Sequence, residues 1–207
     1  ILNRWGPSGL VPAVDADPNT LIRRLHLDLS GLPPAAEDVD RFISNQRDDA
    51  YLEEVDRLLA SRHFGERFAT FWLDLVRYAD TVGYHGDQEH HSWIYRDWVI
   101  GAFNSNLPFD QFTREQLAGD QLPGSTRRQL IASGYNRLNM TTREGGSQPK
   151  EYITIYPGDR VRNVSGVWMA TTLGCTDGND HKFDPFPARG FYSRRAVLYL
   201  HLKMTPI

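Results

Sequence analysis

Apolar residues recur every three or four positions along most of the chain, which predicts a succession of amphipathic helices. In the first of these segments the apolar positions are Leu21, Ile22, Leu25 and Leu29. Asp17 followed by Pro18 is typical of a helix start, because aspartate caps free N–H groups and proline is tolerated in the first turn. Gly31 is typical of a helix end.

The same spacing predicts helices along the rest of the chain. They are expected over 34–44, 50–59, 64–78, 93–103, 108–118, 126–135, from 149 to a break at Pro157-Gly158, and over 160–173. The pattern over 191–202 does not separate helix from strand, and helix is the favoured interpretation. The third helix would bury Tyr51, Leu52, Val55, Leu58 and Leu59. Asp159 would cap a separate helix after the break, with Val161, Val164, Val167, Trp168 and Thr171 on its inner side.

No segment alternates apolar and polar residues as a half-buried strand would. Three stretches, 80–91, 141–149 and 174–189, lack periodicity and are predicted to be polar loops. The first four helices fit αα-hairpins with short connections. The predicted fold class is mostly α, an irregular helical domain with αα-hairpins and long polar loops.

Composition narrows the class of protein further. With 40% hydrophobic and 24% charged residues, the 207-residue chain is typical of a globular protein. A net charge of -3 and a pI near 6.2 argue against nucleic acid as a partner. No stretch approaches the ~20 apolar residues of a membrane helix, so no membrane span is expected. Cys175 is the only cysteine, so no disulfide can form within the chain.

The loop over 84–91 concentrates candidate metal ligands. They are His85, Asp87, His90 and His91. Imidazole and carboxylate together suit zinc, manganese or ferrous iron, although no HExxH-type spacing supports such a site here. The alternative is a solvated loop whose histidines have no shared function.

The loop over 174–185 carries a second group of candidates. Asp180, His181 and Asp184 could form an open metal site, or the carboxylates could orient the imidazole for proton transfer. Cys175 and His181 could form a nucleophile pair, but the preceding helix end would raise the thiol pKa. The alternative for Cys175 is a structural cysteine packed under Trp168.

Other polar residues could serve catalysis or structure. They are Arg96, Asp97, the Arg143–Gly146 turn with Glu144, and the adjacent Asp159 and Arg160. Buried arginine–carboxylate pairs are the structural alternative for these charges. The residues themselves leave both interpretations open.

Eight short motifs follow one another between residues 21 and 192. They lie at 23–34, 56–61, 71–75, 95–100, 115–120, 144–146, 159–161 and 180–185. In this order they resemble a large extracytoplasmic family of planctomycetes and verrucomicrobia, catalogued as a cytochrome-c-like domain of unknown function. The resemblance implies an extracytoplasmic location.

The resemblance also implies a haem site, which this sequence has altered. Family members carry CxxCH just before the Asp-His-Lys motif, where two thiols bind haem and the histidine ligates iron. Cys175 matches the first thiol, whereas Gly178 and Asn179 replace the second thiol and the histidine. Ordinary haem c attachment is therefore not expected. Cys175 and His181 remain the cofactor-binding candidates, with a divalent metal as the other cofactor class.

Domain boundaries and partners follow from the same resemblance. We expect an irregular lead-in over 1–16, one helical cytochrome-c-like domain over 17–192 and an atypical tail over 193–207. The chain begins with Ile1 and lacks the family's second, C-terminal domain, so we expect a processed or partial chain. The missing domain, a redox partner or a glycan are the implied partners.

Three functional hypotheses remain open at this point. The first is a redox module for electron transfer, and the second is a metal-dependent enzyme or subunit linked to polysaccharide degradation. The third is a non-catalytic binding module. No residue is assigned a catalytic role, and whether the chain is an enzyme stays open.

Overall fold

The computed structural model describes residues 9, 11–84, 86–142 and 146–203, the last four without their side chains. Nine α-helices lie in these ranges: α1 Pro18–Leu29, α2 Ala36–Ser44, α3 Ala50–Leu59, α4 Arg62–Leu75, α5 Trp93–Asn104, α6 Phe109–Ala118, α7 Arg127–Ala132, α8 Pro149–Met169 and α9 Ala188–Lys203. Short 3₁₀ helices span Gly119–Gln121, Ser133–Arg137 and Gly174–Asp177. Within the described ranges there is no β-sheet, only a bridge between Thr81 and Glu89. The mostly-α prediction is confirmed.

Several predicted features lie outside the described residues. They are most of the lead-in, His85, the 143–145 part of the glycine turn, and residues 204–207. The division into lead-in, family domain and tail stays a prediction. Helix α9 continues through the predicted boundary at 192.

The chain forms two compact units, Ile1–Arg67 and Phe68–Ile207. In the first unit α1, α2 and α3 pack against one another, as expected for short-looped hairpins. Asp17 caps α1 by accepting from the Thr20 backbone N–H at 3.1 Å. Gly31 follows α1 at φ +71°, and a Cβ there would lie 2.9 Å from Arg67 Cδ, so both backbone and space require glycine.

The predicted apolar face of α3 is only partly correct. Leu58 is buried, and Glu54, which was not predicted inward, is buried beside it. Tyr51 and Leu52 are 44% and 62% exposed. The helix turns a charged residue inward because Glu54 meets the buried His26 of α1, with 2.9 Å between Oε1 and Nε2.

Aromatic side chains form the core of the second unit. Trp98 stacks on Phe112, with ring centroids 5.3 Å apart and planes 15° apart. Gln116 is fully buried and accepts hydrogen bonds from Trp72 Nε1 at 2.9 Å and Tyr95 Oη at 2.6 Å. This arrangement satisfies the polar ends of two aromatic residues inside the core.

Helix α8 is continuous where the sequence predicts a break. Pro157 lies inside it, so the separate helix capped by Asp159 is wrong. Proline's fixed φ suits a helix, and its costs are a lost N–H and a clash one turn earlier. Pro157 itself and Val161, one turn further on, are buried, so tertiary packing stabilises the helix at and after that defect. The helix ends at Met169, before Ala170 at φ 50°, and not at 173.

Helix α9 packs against α8 through a small apolar cluster of Val161, Leu173 and Phe191. Asp180 Oδ1 accepts from the Ala188 backbone N–H at 2.8 Å and so caps the first turn of α9. The predicted helix at 191–202 is confirmed. No helix among the described residues is both long and apolar enough to cross a membrane.

Candidate functional site

Arg160 is a buried cation, and two of its guanidinium nitrogens have no hydrogen-bond acceptor among the described residues. It lies in α8 and is 5% exposed. Its Nη2 is 3.4 Å from Asn139 Oδ1, a long hydrogen bond, while Nε and Nη1 are buried with no partner among the described residues. Buried charges in proteins are normally paired, because removing a charge from water is costly. Arg160 therefore presents unsatisfied donors on two nitrogens.

The neighbouring charges do not neutralise Arg160. Asp159, the adjacent carboxylate, accepts two hydrogen bonds from the Arg77 guanidinium at 2.7 and 2.8 Å. Burial, followed by the positive charge of Arg137, lowers the pKa of Arg160 to about 10. The guanidinium is still protonated at neutral pH, so among the described residues its positive charge has no carboxylate paired with it.

The chain segment that carries Asn139 is attached to other elements of the second unit. Beyond Asn139, the Thr141 backbone N–H donates to the Val82 carbonyl at 3.0 Å. The next backbone N–H, that of Thr142, donates to Tyr156 Oη on α8 at 3.0 Å. These two hydrogen bonds fix the loop that carries Asn139, and the second of them attaches it to α8, the helix of Arg160.

The expected arginine–carboxylate pairs take a different form in the structure. Arg96 and Asp97 pair at 3.0 Å with side chains 40% and 52% exposed, so this pair is not buried. Asp159 pairs with Arg77 at the surface rather than with its neighbour. Arg160 is buried and has no carboxylate partner among the described residues, which do not include Glu144, so the buried ion pair stays a prediction for it.

In the 84–91 loop one predicted metal ligand, Asp87, accepts hydrogen bonds that stabilise the loop itself. Hydrogen bonds from the Thr81 side chain and the Gly83 backbone N–H hold the pKa of Asp87 below its usual value. The His90 backbone N–H donates to the Asp80 carbonyl at 2.7 Å, and the His91 side chain is exposed. His85 lies outside the described residues, so the metal-ligand prediction for this loop stays a prediction.

In the 174–187 loop the predicted ligands have structural contacts. His181 Nδ1 accepts backbone N–H groups of Phe183 at 3.3 Å and Asp184 at 2.9 Å. Accepting these bonds requires an unprotonated Nδ1, which leaves the ring proton on Nε2. Asp180 caps α9, and Asp184 Oδ2 accepts from Thr171 Oγ1 at 3.3 Å.

No group of three or more histidine, cysteine, aspartate or glutamate side chains is arranged to hold a metal ion in the part of the chain that the structure describes. His181 and Asp184 come within 3.4 Å of each other, Nδ1 to Oδ2. Two groups alone do not complete the four-ligand shell of a structural zinc site. The metal assignment of Asp180, His181 and Asp184 stays a prediction.

The residues around Cys175 do not fit a haem c group. The 3₁₀ turn is present, since the backbone N–H groups of Gly178 and Asn179 both approach the Cys175 carbonyl, at 3.4 and 3.3 Å. Neither side chain, however, supplies a thiol or an imidazole. Cys175 is exposed, so the interpretation of a cysteine buried under Trp168 is wrong.

The described residues form a helical fold in which one buried arginine, Arg160, has no carboxylate partner within the described ranges. A family model matches residues 1–201, and the chain belongs to that family, PSCyt2, described as a protein of unknown function (DUF1549). Searches of curated proteins and of solved structures found no match.

Sequence reasoning did not single out Arg160 as a binding residue. Because Asp159 is adjacent in sequence, an ordinary ion pair between the two was the structural interpretation, and an arginine without a carboxylate was not considered. One signal was present, because Arg160 precedes Val164 by four residues and therefore shares the inner stripe of the helix. An arginine on an apolar stripe is rarely buried without a partner.

Proposed function

We propose that this domain is a binding module that holds an oxyanion group of its ligand at Arg160. The observation that carries the proposal is the pair of buried guanidinium nitrogens, Nε and Nη1, for which the described part of the chain offers no acceptor. Charged donors and an anionic acceptor form the stronger class of hydrogen bond, and carboxylates, sulfates and phosphates all suit arginine. A bound oxyanion would supply both the countercharge and the missing acceptors.

The alternatives have weaker support. Electron transfer through haem c would need a thiol and a histidine where Gly178 and Asn179 stand. A metal-dependent enzyme would need a ligand group that the described residues do not assemble. The binding module needs only the unpaired cation, which is why we prefer it.

Thermal unfolding in the presence of anions tests the proposal. At constant ionic strength, replacing chloride by acetate, sulfate or phosphate should raise the midpoint of the wild type, because a ligand of the folded state stabilises it. Sulfate and phosphate also stabilise every variant by exclusion from its surface. The further rise that comes from binding should be lost in Arg160→Met and persist in Arg114→Met, whose arginine is an exposed partner of Asp110. An equal rise in wild type and Arg160→Met would contradict the proposal.

The ligand-free stability of Arg160→Met provides a test of opposite sign. Replacing an unpaired buried charge by an apolar side chain of similar length should raise the free energy of unfolding by about 1–3 kcal/mol. A structural ion pair at Arg160 would instead make the same substitution destabilising. Urea unfolding without added oxyanions distinguishes these outcomes, and a loss of stability would contradict the proposed role.

We also propose an extracytoplasmic location, and the family resemblance is its support. Fractionating cells that produce the full-length protein would test this, since the protein should appear outside the cytoplasmic fraction. Recovery with cytoplasmic markers would contradict it.

A further inference from the structure

A groove of about 530 Å³ lies between α5 and α7 in the second unit. This volume falls within the range of small-molecule sites, roughly 300–1,000 Å³. Ile94, Trp98 and Ile131 supply apolar lining, and Arg127 and Arg128 supply charge. None of these residues belongs to the surroundings of Arg160 described above.

The apolar side of the groove is rigid. Trp98 is 7% exposed and is held by stacking on Phe112, so its ring cannot rotate without disturbing the core. Its indole Nε1 is buried with no acceptor among the described residues. Ile94 is 39% exposed, so the groove keeps an apolar surface in contact with solvent.

The charged side of the groove is positive. Arg127 and Arg128 are both exposed, and no ion pair links either of them to another side chain in the described ranges. The acidic residue of the groove, Asp97, is paired with Arg96 at 3.0 Å. Two guanidinium groups are therefore available to an anionic ligand.

Gly101 leaves the groove open. A Cβ built on Gly101 would meet no heavy atom within 4 Å, although the residue lies within α5. Glycine inside a helix costs roughly 0.5–1 kcal/mol relative to alanine. A larger side chain at this position would occupy the space between the tryptophan ring and the arginines.

We propose that this groove binds an amphipathic carboxylate, a small molecule whose apolar chain or ring lies against Trp98 and whose carboxylate lies beside Arg127 and Arg128. The apolar wall would remove the chain from water, and the arginines would set the preference for an anion. This binding is independent of the oxyanion proposed at Arg160.

Calorimetric titration of the chain with octanoate tests the groove, and 1-octanol serves as the uncharged probe. In an Arg160→Met background, which removes the other proposed oxyanion site, octanoate should bind one site per chain. Gly101→Leu should weaken it at least tenfold by filling the groove, whereas Gly166→Leu, at an exposed helical glycine that is equally open, should not. The double change Arg127→Gln and Arg128→Gln should weaken octanoate about tenfold, the effect of losing one charge-assisted hydrogen bond, and leave octanol unchanged.

The matched charge control is Arg23→Gln with Arg24→Gln, two exposed arginines of α1. Absence of octanoate binding would overturn the proposal. So would equal loss in the control double variant, or Gly101→Leu binding as tightly as the wild type. Circular dichroism of every variant confirms that it is folded, and the arginine variants alter only the surface, so they provide the test even if Gly101→Leu does not fold.

Discussion

Buried charge at the scale of single residues is handled in opposite ways in the two units. Glu54 is 5% exposed and bonds His26 and Arg57, whose Nε lies 2.9 Å from Oε2. Burial raises the pKa of Glu54, but hydrogen bonds from Arg57 and His26 outweigh it and lower the pKa to about 2. Arg160 has no comparable ion-pair partner among the described residues. We expect Glu54 to stabilise the fold and Arg160 to bind a ligand.

Glu54→Gln should therefore lower the free energy of unfolding by about 3 kcal/mol, because it leaves the buried His26 without its carboxylate and the exposed Arg57 with Asp38 alone. Chemical denaturation measures the change. Glu53→Gln is the matched control, since that side chain is 44% exposed and pairs with Arg47 at the surface, where the loss should stay below about 1 kcal/mol. Equal losses in the two variants would show that Glu54 does not stabilise the fold.

The same carboxylate predicts how stability depends on pH. Its folded pKa of about 2 lies below the unfolded value of 4.5, so its contribution is present above pH 4.5 and is lost as the pH falls toward 2. The loss should be on the order of 2 kcal/mol, reduced by the solvent exposure of Arg57. Glu54→Gln should remove this part of the acid dependence, and an unchanged pH profile would contradict the assignment.

At the scale of elements, Asp180 joins the 174–187 loop to α9. Asp180→Ala should lower stability by about 1 kcal/mol, because the Ala188 N–H loses its acceptor. Asp180→Asn keeps an acceptor and should lose only a few tenths. Urea unfolding of both variants measures the difference, and equal losses would mean that the carboxylate's charge matters more than its hydrogen bond.

Most helices were predictable because their apolar periodicity is strong, and α1 follows it closely. In α9 the periodicity is weak, so the sequence only favoured a helix there. Pro157 misled the prediction, since local proline rules do not include the packing that keeps α8 continuous. Cys175 was misplaced because sequence cannot show which side of a short 3₁₀ turn faces solvent. The unpaired donors of Arg160 could not be predicted from the sequence, because only the three-dimensional structure shows which acceptors lie near a side chain.

At the scale of the whole molecule, the tryptophans are unevenly distributed between the two units. Trp72, Trp93, Trp98 and Trp168 lie in the second unit, and Trp5 falls in the range of the first. In a Trp5→Phe background, tryptophan fluorescence therefore reports on the second unit, while far-ultraviolet circular dichroism reports on all helices.

This distribution allows a test of cooperativity between the units. With Glu54→Gln added, the dichroism midpoint should fall below the fluorescence midpoint, because the substitution weakens only the first unit's ion network. Coincident transitions would show instead that the chain unfolds as one cooperative unit.

The exposed thiol of Cys175 limits how the chain can assemble covalently. A single cysteine can form one bond, so oxidation links two chains at most and never a longer polymer. The same thiol offers one attachment point per molecule for a spin label or a fluorophore, and it lies in the 3₁₀ turn Gly174–Asp177 that follows α8. The mobility of that label would report on the loop that precedes α9 without any engineered cysteine.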